Sequence, residues 1–265
     1  MFIQRLLSGI VLLAVLITVI ILGGNYLLVF LGIISLIGQY ELYRAVKIEK
    51  TLPAYLGYTV SILYECLLFF DMGDFIFPLI IIYFLLLMTV YVFCYPKYVV
   101  EQISVIFFGF FYVPVLLSYI YQLRMEELGI YIVWLVIISA WGSDTCAYCV
   151  GRLIGKHKLP SPLSPKKTIE GCVGGVIGAG LLGMAYGFMF KLPNSPLIFA
   201  IVCATGSVIA QIGDLAASAI KRNHDIKDYG HLSPGHGGIL DRFDSVIFTA
   251  PVVWLLFEFL SKGSL

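Results

Sequence analysis

Charge is what this chain of 265 residues has least of. Asp, Glu, Lys and Arg make up 12%, roughly half of ordinary soluble usage, while apolar residues reach 60%. Mean hydropathy is +0.96. These values exclude an ordinary soluble domain and define an integral membrane protein. Paired cysteines are also missing. Cys66, Cys94, Cys146, Cys149, Cys172 and Cys203 are scattered through mostly apolar stretches, a pattern of buried thiols rather than of a disulfide framework. Cys146 and Cys149 form one C-x-x-C with no second pair, so zinc and redox chemistry find no support there. His157, His224 and His231 show no ligand spacing, no Walker-type glycine-lysine loop occurs, and no 20–50-residue period repeats. The N-terminal apolar run lacks a polar, small-residue cleavage site before the next run and reads as a retained helix.

What is present is a series of apolar segments. A spanning helix needs about 20 such residues. On that scale nine segments are expected, near 5–22, 26–42, 53–70, 75–94, 103–121, 129–150, 171–190, 196–219 and 245–260. The expected fold is therefore all-α and polytopic, with about nine transmembrane helices. Residues 1–128 are expected to be apolar spans with short links, and 129–265 a catalytic region with long polar loops. Glu65 is the lone mid-segment charge of the first part. It reads as a carboxyl near a helix end or paired inside the bundle, in preference to a proton relay. Fourteen of the 17 basic residues fall on one side of this topology and three on the other. The imbalance places the N-terminus and both long loops in the cytoplasm of a cell membrane.

The chemistry is concentrated in two stretches. The first runs from Asp144 and Tyr148, i and i+4 on one helix face, through Gly151, Arg152, Gly155 and Lys156 to Lys166-Lys167-Thr168. Asp144 suits a cation or a nucleotide hydroxyl. Lys166 and Lys167 precede Thr168, the expected N-cap of the seventh segment, where free N–H groups and the helix dipole would help two ammonium groups hold phosphates. The plainer role for such lysines is membrane anchoring.

The second stretch, Gly213 to Ser245, holds Asp214, Lys221, Arg222, Asp225, Lys227, Asp228, Asp241, Arg242 and Asp244. Asp214, Ser218, Lys221 and Arg222 share a face of the helix leaving the membrane, and Asp241, Asp244 and Ser245 share a face of the helix entering it. Asp214, Asp241 and Asp244 are the candidate ligands of a hard divalent cation, for which magnesium is expected, with a second cation possible. His236, between glycines in Pro234-Gly235-His236-Gly237-Gly238, suits a phosphate donor, proton transfer or loop fixation. Taken singly, Asp241 reads as an N-cap and Lys221 and Arg222 as snorkelling anchors. Their concentration on one loop argues for a site.

These residues resemble the signature of phosphatidate cytidylyltransferases, the CDP-diacylglycerol synthases. The resemblance rests on Ser218-x-x-Lys221-Arg222-x(4)-Lys227-Asp228, on Pro234-Gly-His236-Gly-Gly, and on Asp241-Arg242-x-Asp244-Ser245. It extends to Ser164-Pro-Lys-Lys-Thr-x-Glu-Gly and Asp144-x-x-Ala-Tyr-x-x-Gly-Arg. One departure is Cys146, where such a family would carry Gly or Ala. The resemblance implies transfer of CMP from CTP to phosphatidic acid, a magnesium requirement with a paired-cation centre, and a homodimer. It points to Asp214, Lys221, Arg222, Lys227, Asp228, His236 and Arg242 as catalytic, and to Asp144, Lys166 and Lys167 as nucleotide-binding. A CTP-dependent lipid kinase or an ether-lipid cytidylyltransferase would use similar groups; release of CDP instead of pyrophosphate would mark the kinase. A transporter would place its charges near the bilayer midplane, whereas these gather at helix ends. No nucleic-acid role is expected.

The topology has a direct test. In intact cells, on a cysteine-free background, an impermeant thiol reagent should modify Asn194→Cys and spare His231→Cys. Labelling of the second with sparing of the first would invert the assignment.

Overall fold

The computed structural model describes residues 2–160, 163–193, 195–230 and 237–262. Among them the chain forms nine helices: α1 (Phe2–Leu22), α2 (Gly24–Ala45), α3 (Leu52–Phe69), α4 (Ile76–Phe93), α5 (Val100–Met125), α6 (Gly129–Ile154), α7 (Ile169–Met189), α8 (Pro196–Asn223) and α9 (Leu240–Lys262). No strand occurs among the described residues. Each of the nine apolar segments corresponds to a helix. Eight are long and apolar enough to span a bilayer, and the described apolar part of α1, Ile10–Leu22, is shorter. The chain is an all-α, polytopic membrane protein.

The breaks follow local chemistry. Gly23 and Gly24 both adopt positive φ, 65° and 49°, which separates α1 from α2 where the hydrophobicity alone is continuous. Lys47, Asp71, Lys191 and Asp225 sit in the left-handed region just after α2, α3, α7 and α8, the usual conformation of a residue that ends a helix. Thr51 caps α3 through its side chain, with Pro53 in the first turn. Pro114 lies inside α5 and lacks the N–H that would close its turn. The backbone answers with a π turn over Phe111–Val115. A second π turn interrupts α6 at Ile138–Gly142.

The chain divides into two compact units. One comprises Met1–Tyr121 with His224–Arg242. Its interior is held by hydroxyls as well as by aliphatic packing. Tyr43 on α2 and Tyr83 on α4 both donate to the Ile106 carbonyl of α5, at 2.7 and 3.1 Å. Gln39 donates to Tyr43 and accepts from Ser61 of α3. Where water is absent, each such bond replaces an alternative that would leave a polar group bare. Glu65 lies against Gly32 and within reach of Ser35 on α2.

The other unit comprises Gln122–Asn223 with Phe243–Leu265. It is organised by α7, which presents glycine to both neighbours. A Cβ at Gly174 would stand 2.6 Å from Val150, and one at Gly178 2.6 Å from Cys146, both on α6. On the α8 side, Gly183 and Gly187 press on Cys203 and Phe199. Small residues at four-residue spacing let apolar helices approach closely enough for dispersion to bind them. The thiol of Cys146, unusual for the motif it interrupts, is thus matched by the missing side chain of Gly178.

Gly178→Val should therefore overpack the α6–α7 contact and destabilise the folded protein by about 1–3 kcal/mol. The unfolding midpoint in detergent should fall, and Cys146→Ala in the same chain should recover part of the loss. An unchanged midpoint would show that α6 and α7 do not meet there.

Candidate active site

The α6–α7 connection, which carries Lys166 and Lys167, borders a cavity inside the second unit. The cavity measures about 390 Å³ and is lined by Asp144, Tyr148 and Arg152 of α6, Lys166 and Lys167 of the α6–α7 connection, and Gln211 of α8. Its size is that of a small-molecule site. The wall is built from local sequence. Asp144, Tyr148 and Arg152 follow one another at i, i+4 and i+8, and Arg152 donates to the Tyr148 hydroxyl at 3.0 Å.

The connection folds back as a short antiparallel stem. Lys158 bridges Thr168, the Leu159 N–H donates to the Lys167 carbonyl, and the Ile169 N–H donates to the His157 carbonyl. His157 Nδ1 and Glu170 Oε1, 2.6 Å apart, clip the outside. Thr168 caps α7 as expected, accepting the Gly171 N–H at 3.1 Å. The stem lies close to α6 because Gly151, Gly155 and Gly171 surround the Thr168 hydroxyl, where any Cβ would meet it within 2.9 Å. Both lysines are thereby brought to the first turn of α7.

Lys167 Nζ pairs with Asp214 Oδ2 of α8 at 2.5 Å, both side chains being partly exposed. Asp144 lies within electrostatic reach of the same ammonium and of Asp214. Lys167 and Asp214 are thus joined beside a cavity whose lining also includes the exposed Asp144, Arg152 and Lys166. Such a mixed cluster holds its cation oriented without leaving a bare positive spot, and it can take up an anion by exchanging partners. Gln211, three residues before Asp214, donates to the Cys172 carbonyl at 3.1 Å and faces the cavity. It was not anticipated from sequence. Its one signal is an amide within an apolar span, on the face of Asp214.

The remaining expected residues divide as follows. Lys221 and Arg222 form the last turn of α8. That helix of 28 residues is about 42 Å long, longer than a hydrocarbon core of about 30 Å. Lys227 and Asp228 are exposed on the connection to α9. Asp241 and Arg242 open α9, and Asp241 Oδ2 accepts the Tyr229 and Gly238 N–H groups at 2.8 and 2.9 Å. Asp241 therefore lies inside the first turn and not at the N-cap expected for it, and its carboxylate ties together the loop that precedes the helix. Asp244 is buried in the second unit, where its carbonyl packs on Gly213 and its Oδ1 accepts the Ser245 N–H. His236 lies outside the described residues. No group of three His, Cys, Asp or Glu side chains with a metal-holding arrangement occurs among the described residues. Glu41, also unanticipated, contacts the connection that carries Asp228.

Fold and cavity together define a multi-pass membrane protein with a cavity of small-molecule size, lined by Asp144, Arg152, Lys166 and Lys167. The chain belongs to the cytidylyltransferase family, whose pattern it matches over residues 3–260. It is 32% identical to a phosphatidate cytidylyltransferase of Bacillus subtilis, with 97% of this chain and 98% of that protein covered. Proteins of the same name from Staphylococcus epidermidis (strain ATCC 35984) and Synechocystis are 33% and 30% identical. They cover 95% of this chain each, and 97% and 94% of their own lengths.

Proposed function

We infer that the chain transfers CMP from CTP to phosphatidic acid, giving CDP-diacylglycerol and pyrophosphate for phospholipid synthesis. The observation that supports this most is the convergence of Asp144, Arg152, Lys166 and Lys167 on one cavity, in a chain with full-length similarity to phosphatidate cytidylyltransferases. A phosphate oxygen of the lipid attacks the α-phosphorus of CTP. The new P–O bond forms as the bond to the β-phosphate breaks, and the electron pair leaves with pyrophosphate. Two anions must approach, and a third must depart, so positioning and positive charge are the main requirements.

Lys166 and Lys167 hold the triphosphate beside the first turn of α7, and Arg152 adds a planar donor at the rim. Asp214 keeps Lys167 aligned before the nucleotide arrives. Lys221, Arg222, Lys227, Asp228, Arg242 and His236 are proposed to bind and orient the lipid phosphate and leaving group.

Magnesium belongs to this reading. It commonly takes one or two carboxylates and completes its shell with water and substrate phosphates, and Asp144 and Asp214, which lie within electrostatic reach of one another, are the proposed pair. Asp241 and Asp244 are retained as proposed further ligands. When bound, the ion would neutralise charge developing on the phosphates. The protein is proposed to act as a homodimer in the cell membrane, with residues 152–170 and 220–244 on the cytoplasmic side, where CTP is found.

Detergent-purified protein should convert labelled CTP and phosphatidate to CDP-diacylglycerol and pyrophosphate only with magnesium present. Release of CDP would point to a kinase and sink the reading. In the same assay Lys166→Ala or Lys167→Ala should chiefly raise the CTP requirement, by about 1.5–3 kcal/mol, or roughly ten- to a hundredfold. Wild-type kinetics in both would make them membrane anchors.

Replacement of Asp214, Asp241 or Asp244 by Asn should lower turnover far more than stability, with altered manganese preference. Near-normal magnesium-dependent turnover in Asp241→Asn and Asp244→Asn would remove both from the cation site.

A further inference from the structure

We propose that Glu41, with Arg44, is a positioning residue for this reaction: it clamps both stems of the polar connection that carries Lys227, Asp228, Asp241 and Arg242. The inference rests on the transfer reaction above. Its geometry lies wholly within the first unit.

Glu41 is a fully buried carboxylate near the end of α2. Its Oε2 accepts the Leu240 N–H at 2.9 Å, and the carboxylate also accepts from Ile239. Those two donors are among the orphan N–H groups at the start of α9, so a side chain 199 positions away caps that helix. A carboxylate is favoured there by the helix dipole as well. The opposite stem reaches the same group. A Cβ on either Gly230 or Gly238 would collide with the Glu41 oxygens, so only a glycine hydrogen fits on each side.

Arg44, one turn further along α2, donates from Nη2 to the Tyr229 carbonyl at 2.6 Å. The Tyr229 N–H in turn donates to Asp241. Peptide groups from both stems are thus fixed by two charged side chains of α2.

Packing alone does not account for an acid at this position. A fully buried carboxylate costs more than an amide or an aliphatic group unless its charge is used. Glu41 Oε1 is buried and has no hydrogen-bond partner among the described residues, so the site is not saturated as a purely structural cap would be. Its use is to hold the residues of the connection in the arrangement that turnover needs. It touches no reacting atom, so its loss should appear in the rate of the chemical step rather than in nucleotide affinity.

The test compares Glu41→Gln, Glu41→Ala and Arg44→Met with wild type, using purified full-length protein, CTP, phosphatidate and magnesium. Turnover and KM for CTP are read beside the unfolding midpoint and amide hydrogen exchange. Glu41→Gln keeps the shape and should lower kcat tenfold or more, with KM for CTP within threefold and the midpoint nearly unchanged. Exchange should accelerate at residues 237–242 and 224–230 but not in α3 to α5.

Turnover within twofold of wild type in Glu41→Gln would overturn the proposal. So would a loss that tracks a general fall in midpoint and protection. The exchange arm stands apart from turnover. Were wild-type protein inactive toward CTP and phosphatidate, the transferase reading would fail. Local acceleration confined to the connection would still support the clamp, and its absence would overturn it.

Discussion

Helices immersed in lipid gain no hydrophobic free energy by touching one another, so they must be brought close enough for dispersion and polar contacts to act. In the second unit that closeness comes from α7. Its glycines at 171, 174, 175 and 178 meet α6, and those at 180, 183 and 187 meet α8. The cavity wall depends on this approach. Asp144, Tyr148 and Arg152 belong to one neighbour and Gln211 to the other, while the lysine-bearing stem ends at the N-terminus of α7 itself. Bulkier residues along α7 would separate the groups that the chemistry must have within a few ångströms of each other.

Electrostatics then decides how such a site can exist before its substrate arrives. A chain with 17 basic residues and 16 acidic ones could neutralise charge anywhere, yet Lys167 of the cavity wall is given Asp214 as its partner. Partly exposed, it contributes little to stability. Its value is geometric: the ammonium is restrained at a defined spot, and the carboxylates beside it suit a nucleotide that brings its own cation. Charge is kept at helix ends, where water and the first turn of α7 share the cost of holding it.

Much of this was legible in sequence. All nine segments became helices because apolar length is a strong signal and the breaks carry chemistry, as at Gly23-Gly24, Asp71 and Pro193. Thr168 was readable as a cap and Asp144 with Tyr148 as a shared face, since both are local relations. What escaped were relations between distant segments. Glu41 drew no reading at all, because nothing in its neighbourhood announces a partner 199 positions away. Gln211 was hidden by the apolar run around it. The task of Asp241 was misread as capping: it sits one residue inside the helix, and its bonds to Gly238 and Tyr229 depend on how the connection folds back.

The π turn at Ile138–Gly142 gives α6 two phases. Before it, Ile132, Val133, Leu135 and Val136 are buried; after it, Ser143 is buried while Asp144 and Thr145 are exposed. A π turn accommodates one extra residue, and each residue of an α-helix advances the face by about 100°. The direction in which Asp144 points is therefore fixed by arithmetic upstream of it, not by any contact it makes. Selection can alter side chains along this rod one by one. Adding or removing one residue between Ile132 and Asp144 would instead swing that carboxyl by about 100°.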